Sequence, residues 1–164
     1  LLDGKMCTAN VMREELGAVG SVEAGDATLL ETLASTHMLP IISSIGADGE
    51  GNLLNVNADQ AATVIAQLLD AELLLLSDVP GVLDANKNLI DQLDTDQIAT
   101  LITQNVIRDG MIVKVQAALT AANSLGRSVT IASWKDAGKL LGLLQQQAIG
   151  SKISPQIKTP SHKA

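Results

Sequence analysis

The stretch LLNVNADQAATVIAQLLDAELLLLSD, residues 53–78, decides the fold class. LLNV (53–56) reads as a short strand, and residues 57–70 follow as a helix whose apolar positions recur at helical spacing. AELLLLSD (71–78) then returns as a strand. Its unbroken apolar run is the pattern of a strand covered on both faces, as in parallel sheets flanked by helices. Strand, helix and strand in succession mark an α/β protein.

The same alternation extends to either side. Asp26 to Thr36 (DATLLETLAST) reads as a helix, with Asp26 as N-cap and Leu29, Leu30 and Leu33 on one face. MLPIISSI (38–45) reads as a buried strand and GADGEGN (46–52) as a hairpin turn. Beyond residue 78, DVPGVLDANKN is too rich in Gly, Pro and Asn to be regular. A second cycle opens at DTDQIATLITQ (94–104), where Asp94 and Gln97 have capping-box spacing. GMIVKVQAALTAANSLG is a long helix stopping near Gly126. RSVTIAS (127–133) is a strand and KDAGKLLGLLQQQ (135–147) a helix. The expected architecture is α/β, a mostly parallel sheet sandwiched by helices. It forms one domain over residues 1–153, with a disordered tail over 154–164.

Composition narrows the function. The chain has 164 residues, enough for a substantial core, with one Trp and no Phe or Tyr, so the core is aliphatic. A net charge of −7 and the lack of stacking aromatics argue against nucleic acid as a partner. No apolar run reaches the ~20 residues of a membrane span. A single cysteine, Cys7, allows no internal disulfide, and a cytoplasmic location is expected. No leader is visible, and the opening residue Leu1 suggests that something upstream is missing. Neither a dinucleotide fingerprint nor a P-loop is present. His37 and His162 stand apart from Cys or acidic partners, so a histidine triad or zinc site is not expected, and no metal ligands are assigned.

Three places carry candidate chemistry. The first is the alternation Asn55, Asn57, Asp59. Asn57 with Gln60 has capping spacing, and Asp59 lies in a first helical turn where negative charge suits the helix dipole. That explains three residues with no function. Asn55 remains, since Asn is depleted in strands, and the carboxyl ends of parallel strands are where ligands bind. The second place is VIRDGMIVKV. Lys114 lies one turn into a helix beginning at Gly110, among apolar residues that would bury its neighbours. Such a charge needs an anion; Asp59 or a phosphate would serve, while a solvated lysine is the bland alternative. The third is LLSDVPGVLD, a Pro-Gly turn after the most apolar strand, suited to close ligand approach or to an ordinary strand exit.

Together ISSIG (42–46), NVNADQAA (55–62), LLLLSDVPGVLD (73–84), IRDGMIVKVQAA (107–118) and GRSVTIAS (126–133) resemble the amino acid kinase family, over about residues 1–153. The NVNADQAA stretch resembles the branch acting on N-acetyl-L-glutamate rather than relatives acting on aspartate, carbamate, glutamate or uridylate. The resemblance implies ATP-dependent transfer of the γ-phosphoryl group to the side-chain carboxylate of N-acetyl-L-glutamate, a step of arginine biosynthesis. It implies Asn55 as substrate-binding residue, Asp59 as organiser of the catalytic lysines, and Lys114 as the lysine stabilising the transferring phosphoryl. Asp78, Val79, Pro80, Gly81, Val82 and Leu83, with Val106, Ile107 and Arg108, would line ATP, and Mg²⁺ would accompany the nucleotide. It also implies a homodimer in the full-length protein. The family's glycine-rich loop, second catalytic lysine and substrate arginine belong to an N-terminal half not found in these residues; Lys5 is not at the position of that lysine. The expected role is therefore the ATP-binding half of the enzyme, the alternative being a non-catalytic nucleotide-binding module.

Overall fold

The computed structural model describes residues 7–11, 17–135, 137–143 and 147–156. The chain forms two compact units, Leu1–Glu72 and Leu73–Ala164. Each holds a four-stranded sheet among the described residues.

The first unit contains β1 (Cys7–Val11), β2 (Val19–Ala24), α1 (Thr28–Ser35), β3 (Ile45–Ala47), β4 (Leu53–Val56) and α2 (Ala58–Leu68). Its strand order is β1-β2-β4-β3. Val22, Leu54 and Val56 from the strands close on Leu30 and Ala61 from the helices, with Ala9 fully enclosed. Asp26 accepts the Thr28 amide at 2.8 Å just before α1. Asn57 caps α2 by accepting from the Gln60 amide at 3.1 Å. The β3–β4 hairpin turns on Asp48, whose carboxylate accepts the Glu50 and Asn52 amides at 2.9 Å each and the Asn52 side-chain amide at 2.9 Å. Asn52 above all therefore holds the Asp48 carboxyl below its ordinary pKa.

The second unit contains β5 (Leu74–Ser77), β6 (Gln92–Leu93), α3 (Thr95–Thr103), α4 (Gly110–Leu125), β7 (Val129–Ser133), α5 (Ala137–Leu143) and β8 (Ser151–Ile153). Its order is β5-β7-β8-β6. Asp94 and Gln97 form the complete reciprocal capping box at the start of α3. α4 ends at Gly126 in the left-handed conformation, φ 65°. It packs on β7 and β8, burying Val115, Ala118, Ala121 and Ala122. The spacing is helical and three of the four are alanines, which lets a helix approach a sheet closely.

The α/β class is as expected, but the balance of pairings differs from a mostly parallel sheet. β2–β4, β5–β7 and β6–β8 are parallel, while β1–β2, β3–β4 and β7–β8 are antiparallel. The Asp48 turn forces one of the antiparallel pairs, because a tight hairpin admits no other arrangement. β4 and β5, the two strands of the opening stretch, belong to different sheets. The expected burial of LLLL on both faces holds only in part: Leu73 is buried, and Leu76 is half exposed. MLPIISSI is not a buried strand. The strand starts only at Ile45, and Leu39 and Ile41 are 86% and 93% exposed. Pro40 has no amide proton for a ladder and restricts its predecessor, which keeps the segment out of regular pairing. At the C-terminal end, Ser154 and Gln156 are tied down through Leu93 and Asn123, so the tail does not begin at 154; residues 157–164 lie outside the described residues.

The loop after β5 is held from a distance. Ser151, 0% exposed on β8, accepts the Val82 amide at 2.8 Å and donates to the Ile90 carbonyl at 2.6 Å. Ile90 in turn donates to the Val82 carbonyl at 2.9 Å. Gly81, at φ 152°, passes so close that a Cβ would lie 2.6 Å from the Ser151 hydroxyl oxygen. Between these ties, Asp84 accepts the Asn86 and Asn88 amides at 2.8 Å and the Asn88 side-chain amide at 3.1 Å. Replacing Ser151 by Ala leaves a buried amide without its acceptor, at a cost of about 1–3 kcal/mol. A urea midpoint lowered accordingly, with an unchanged m-value, is expected; an unmoved midpoint would show that the hydroxyl does not hold the loop.

Candidate functional site

The two groups of candidate residues are best taken one unit at a time. In the first unit, Asn55, Asn57 and Asp59 are all exposed. Asn55 lies on β4, whose burial alternates strictly; Leu54 and Val56 face the core while Leu53 and Asn55 face outward. The alternation explains how a strand tolerates Asn there, and it leaves the amide side chain accessible. The Asn55 backbone is fixed by its amide, which donates to the Ala18 carbonyl at 2.7 Å. Asn57 is occupied as the α2 cap. Asp59 stands in the first turn of α2, and its carbonyl accepts from the Thr63 hydroxyl at 2.7 Å. Asn55 and Asp59 thus flank the end of β4 and the start of α2, with the helix N-terminus favouring the negative charge.

In the second unit, the lysine read as requiring an anion has one. The Lys114 ammonium donates to Asp78 Oδ1 at 2.7 Å and to the Ser77 hydroxyl at 2.5 Å. Ser77 donates in turn to the same Asp78 oxygen at 3.1 Å. The anion is therefore Asp78, adjacent to the end of β5. Apolar neighbours do not bury the lysine either, since Lys114 and Asp78 side chains are 40% and 59% exposed. Lys114 instead lies at the edge of the α4 face that begins with Val115, so its stem follows the helix and its head reaches the strand end.

The segments expected to line a nucleotide differ in what they present. Asp78 and Pro80 are exposed, Val79 and Leu83 are half-buried, and Gly81 and Val82 are buried. From the second segment, Val106 is half-buried, Arg108 is exposed, and Ile107 is a core residue at 2%. A ligand could meet Gly81, Val82 or Ile107 only through backbone. The chain enters α4 through Asp109, whose φ of 51° and ψ of −134° are unusual for a residue other than glycine, and no side chain caps the helix there. The Met111 and Ile112 amides of this first turn already donate to the Arg108 and Asp109 carbonyls at 3.1 Å each.

Two residues of this unit had no sequence signal of their own. Ser77 falls inside the strand expected over 71–78 without being singled out, and nothing in the spacing marks Ser151. Both act through long-range contacts that spacing does not encode.

Lys114 first, and Ser77 after it, lower the Asp78 pKa from 3.8 to about 2. A carboxylate with a depressed folded-state pKa stabilises the fold above its ordinary pKa, and that contribution is lost as pH falls through the folded value. The Asp78 carboxyl, followed by carbon NMR, should therefore titrate near about 2 in the parent chain. In Lys114→Met it should return toward the ordinary carboxylate range; an unmoved midpoint would rule out the ion pair as the cause.

With the geometry in place, similarity to known proteins can be set beside it. The profile of the amino acid kinase family matches residues 2–133. The acetylglutamate kinase of Aliivibrio fischeri strain MJ11 is 54% identical over 156 residues, covering 95% of this chain and 60% of that protein. The acetylglutamate kinase of Moritella profunda is 53% identical over 154 residues, covering 94% of this chain and 58% of the relative. The chain thus spans about 60% of the length of such relatives. Among solved structures, N-acetylglutamate synthase from Neisseria gonorrhoeae, complexed with coenzyme A and L-arginine, superposes with a TM-score of 0.74 at 22% identity, over 92% of this chain and 37% of that one; at that identity the likeness concerns the fold alone. On the profile match and the identity to these relatives, the chain belongs to the amino acid kinase family.

Proposed function

We propose that this chain supplies the ATP-binding part of an acetylglutamate kinase, which transfers the γ-phosphoryl group of ATP to the side-chain carboxylate of N-acetyl-L-glutamate. The observation that carries the reading is the Lys114 ammonium, held by Ser77 and Asp78 at the end of β5 where the proposed nucleotide segment 78–83 begins. The names of the relatives at 54% and 53% identity support the substrate and, through it, a role in arginine biosynthesis.

The chemistry suits this set of groups. The acceptor carboxylate, with an ordinary pKa of about 4.3, is already ionised at neutral pH, so no general base is required. The obstacle is the approach of two anions. The transferring phosphoryl spreads charge over its oxygens, and fixed cations and amides aimed at that charge lower the barrier. Lys114 would supply the cation. Asn55 would orient the acetylated amino acid, and Asp59 would act as a fixed negative charge organising lysines, without itself moving a proton. The backbone of residues 78–83 and 106–108 would line the nucleotide. Mg²⁺ would enter with ATP, carried by the nucleotide. A cytoplasmic homodimer of the full-length protein belongs to the same reading.

Trapping acyl phosphate as hydroxamate tests it. The 164-residue chain, joined to the remaining part of a relative, should form hydroxamate only when ATP and N-acetyl-L-glutamate are both present. Lys114→Ala should lower kcat by roughly 10²–10³-fold, as loss of an oxyanion-stabilising donor does, with a much smaller change in the KM for ATP. An unchanged kcat removes Lys114 from the mechanism. ATP binding without hydroxamate would favour the non-catalytic module.

A further inference from the structure

Lys114 and Asp78 are both substantially exposed, at 40% and 59%. Exposed ion pairs are weak, with typical worth of about 0–1 kcal/mol, and their long side chains wander. Such a pair does not by itself hold an ammonium in one place. Ser77 is the fixed member of the cluster. It is 6% exposed and pairs with Ser133 in the parallel β5–β7 ladder. Its carbonyl accepts the Trp134 amide at 3.0 Å. Ser77 is thus locked in the sheet by its backbone while its hydroxyl faces α4.

The hydrogen bonds have a direction. An ammonium has three protons. Lys114 gives one to the Ser77 hydroxyl and one to Asp78 Oδ1. Ser77 passes its own proton to that same carboxylate oxygen. The triangle closes on itself and leaves the third ammonium proton for another acceptor. Asp78 can swing on its exposed side chain, whereas Ser77 is anchored, so the hydroxyl sets where that third proton points.

We propose that Ser77 is a positioning residue: it fixes the Lys114 ammonium so that its remaining N–H meets an incoming phosphoryl oxygen. The direction toward phosphate rests on the kinase reading; the hold on Lys114 does not.

The test uses the whole 164-residue chain labelled with ¹⁵N, observing lysine ammonium signals and assigning Lys114 by its loss in Lys114→Met. A held ammonium exchanges protons slowly and gives a resolved signal. In the parent chain that signal should be present and should shift on adding MgATP. Ser77→Ala should broaden it beyond detection and abolish its shift on adding MgATP, and Ser77→Thr should restore both, with backbone amide spectra showing each variant folded. A Lys114 signal unchanged in Ser77→Ala would overturn the proposal, as would failure of a folded Ser77→Thr to restore the signal. If MgATP leaves the parent signal unmoved while Ser77→Ala still abolishes it, the kinase reading falls and the hold of Ser77 on Lys114 stands.

Discussion

The packing of α4 on the sheet brings a lysine at the margin of its apolar face to the end of β5, and the candidate site of the second unit depends on that packing. α4 is committed to the sheet through Val115 and a row of alanines, which fixes the start of the helix against β7 and β8. Lys114 lies immediately before the first of those buried residues, so its direction is set by packing that has nothing to do with charge. The anion has to stand within reach of that fixed stem. It does so because β5 ends in Ser77 and Asp78 beside it. Solvent weakens the exposed pair, but Ser77 turns a loose attraction into a defined position. The depressed pKa of Asp78 is the electrostatic trace of the same arrangement.

The loop that follows Asp78 shows how irregular backbone is made definite. Residues 82 and 90 are joined to each other and both to the Ser151 hydroxyl, far along the chain. Asp84 organises the tip with the same Asp-x-x-x-Asn device that Asp48 uses in the β3–β4 hairpin. In each turn the carboxylate gathers backbone amides that the loop would otherwise leave unpaired. Both turns use left-handed backbone, which costs nothing at Gly51 and a little at Lys87. Gly81 has less choice, because a side chain there would collide with Ser151 and Leu89. A loop fixed in this way can present its backbone to a ligand with little further ordering, which is what close contact with phosphate or a nucleoside requires.

How legible this was depends on whether the cause is local. The α4 span and its Gly126 stop, the Asp94 box and the Asn57 cap arise within a few residues, and sequence spacing finds them. β6 and β8 have two and three residues and no apolar run; they exist because a neighbouring strand pairs with them, and nothing nearby announces that. MLPIISSI misleads for the reverse reason. Its composition favours a strand, but Pro40 and the absence of a described partner outweigh propensity, and the ladder starts only at Ile45. At the candidate site, Lys114 does pair with an anion, although the expected burial that made one necessary is absent, its side chain being 40% exposed. The identity of that anion was not readable, because 36 residues separate Lys114 from Asp78, and only the packing of α4 against the sheet brings them together.

The same distinction separates residues that contact a ligand from those that support it. Asn55 and Asp59 are exposed, Asp78 and Arg108 are exposed, and each can meet a small molecule with its side chain. Ile107, Val82 and Ser151 are enclosed; a sequence match carries the first two into a nucleotide-lining set, but burial limits their part to shape and backbone. Substitution at Ile107 or Val82 would therefore act through core packing and report on the fold before it reported on any ligand. Lys114 and Asp78 are different in kind. Both charges face solvent, and their mutual contact is the one an arriving phosphate would have to share or displace. On the kinase reading, the remaining Lys114 N–H would be shared with a phosphoryl oxygen while Ser77 keeps the ammonium in place. That sharing would need no change at Ser77, which the β5–β7 ladder already holds.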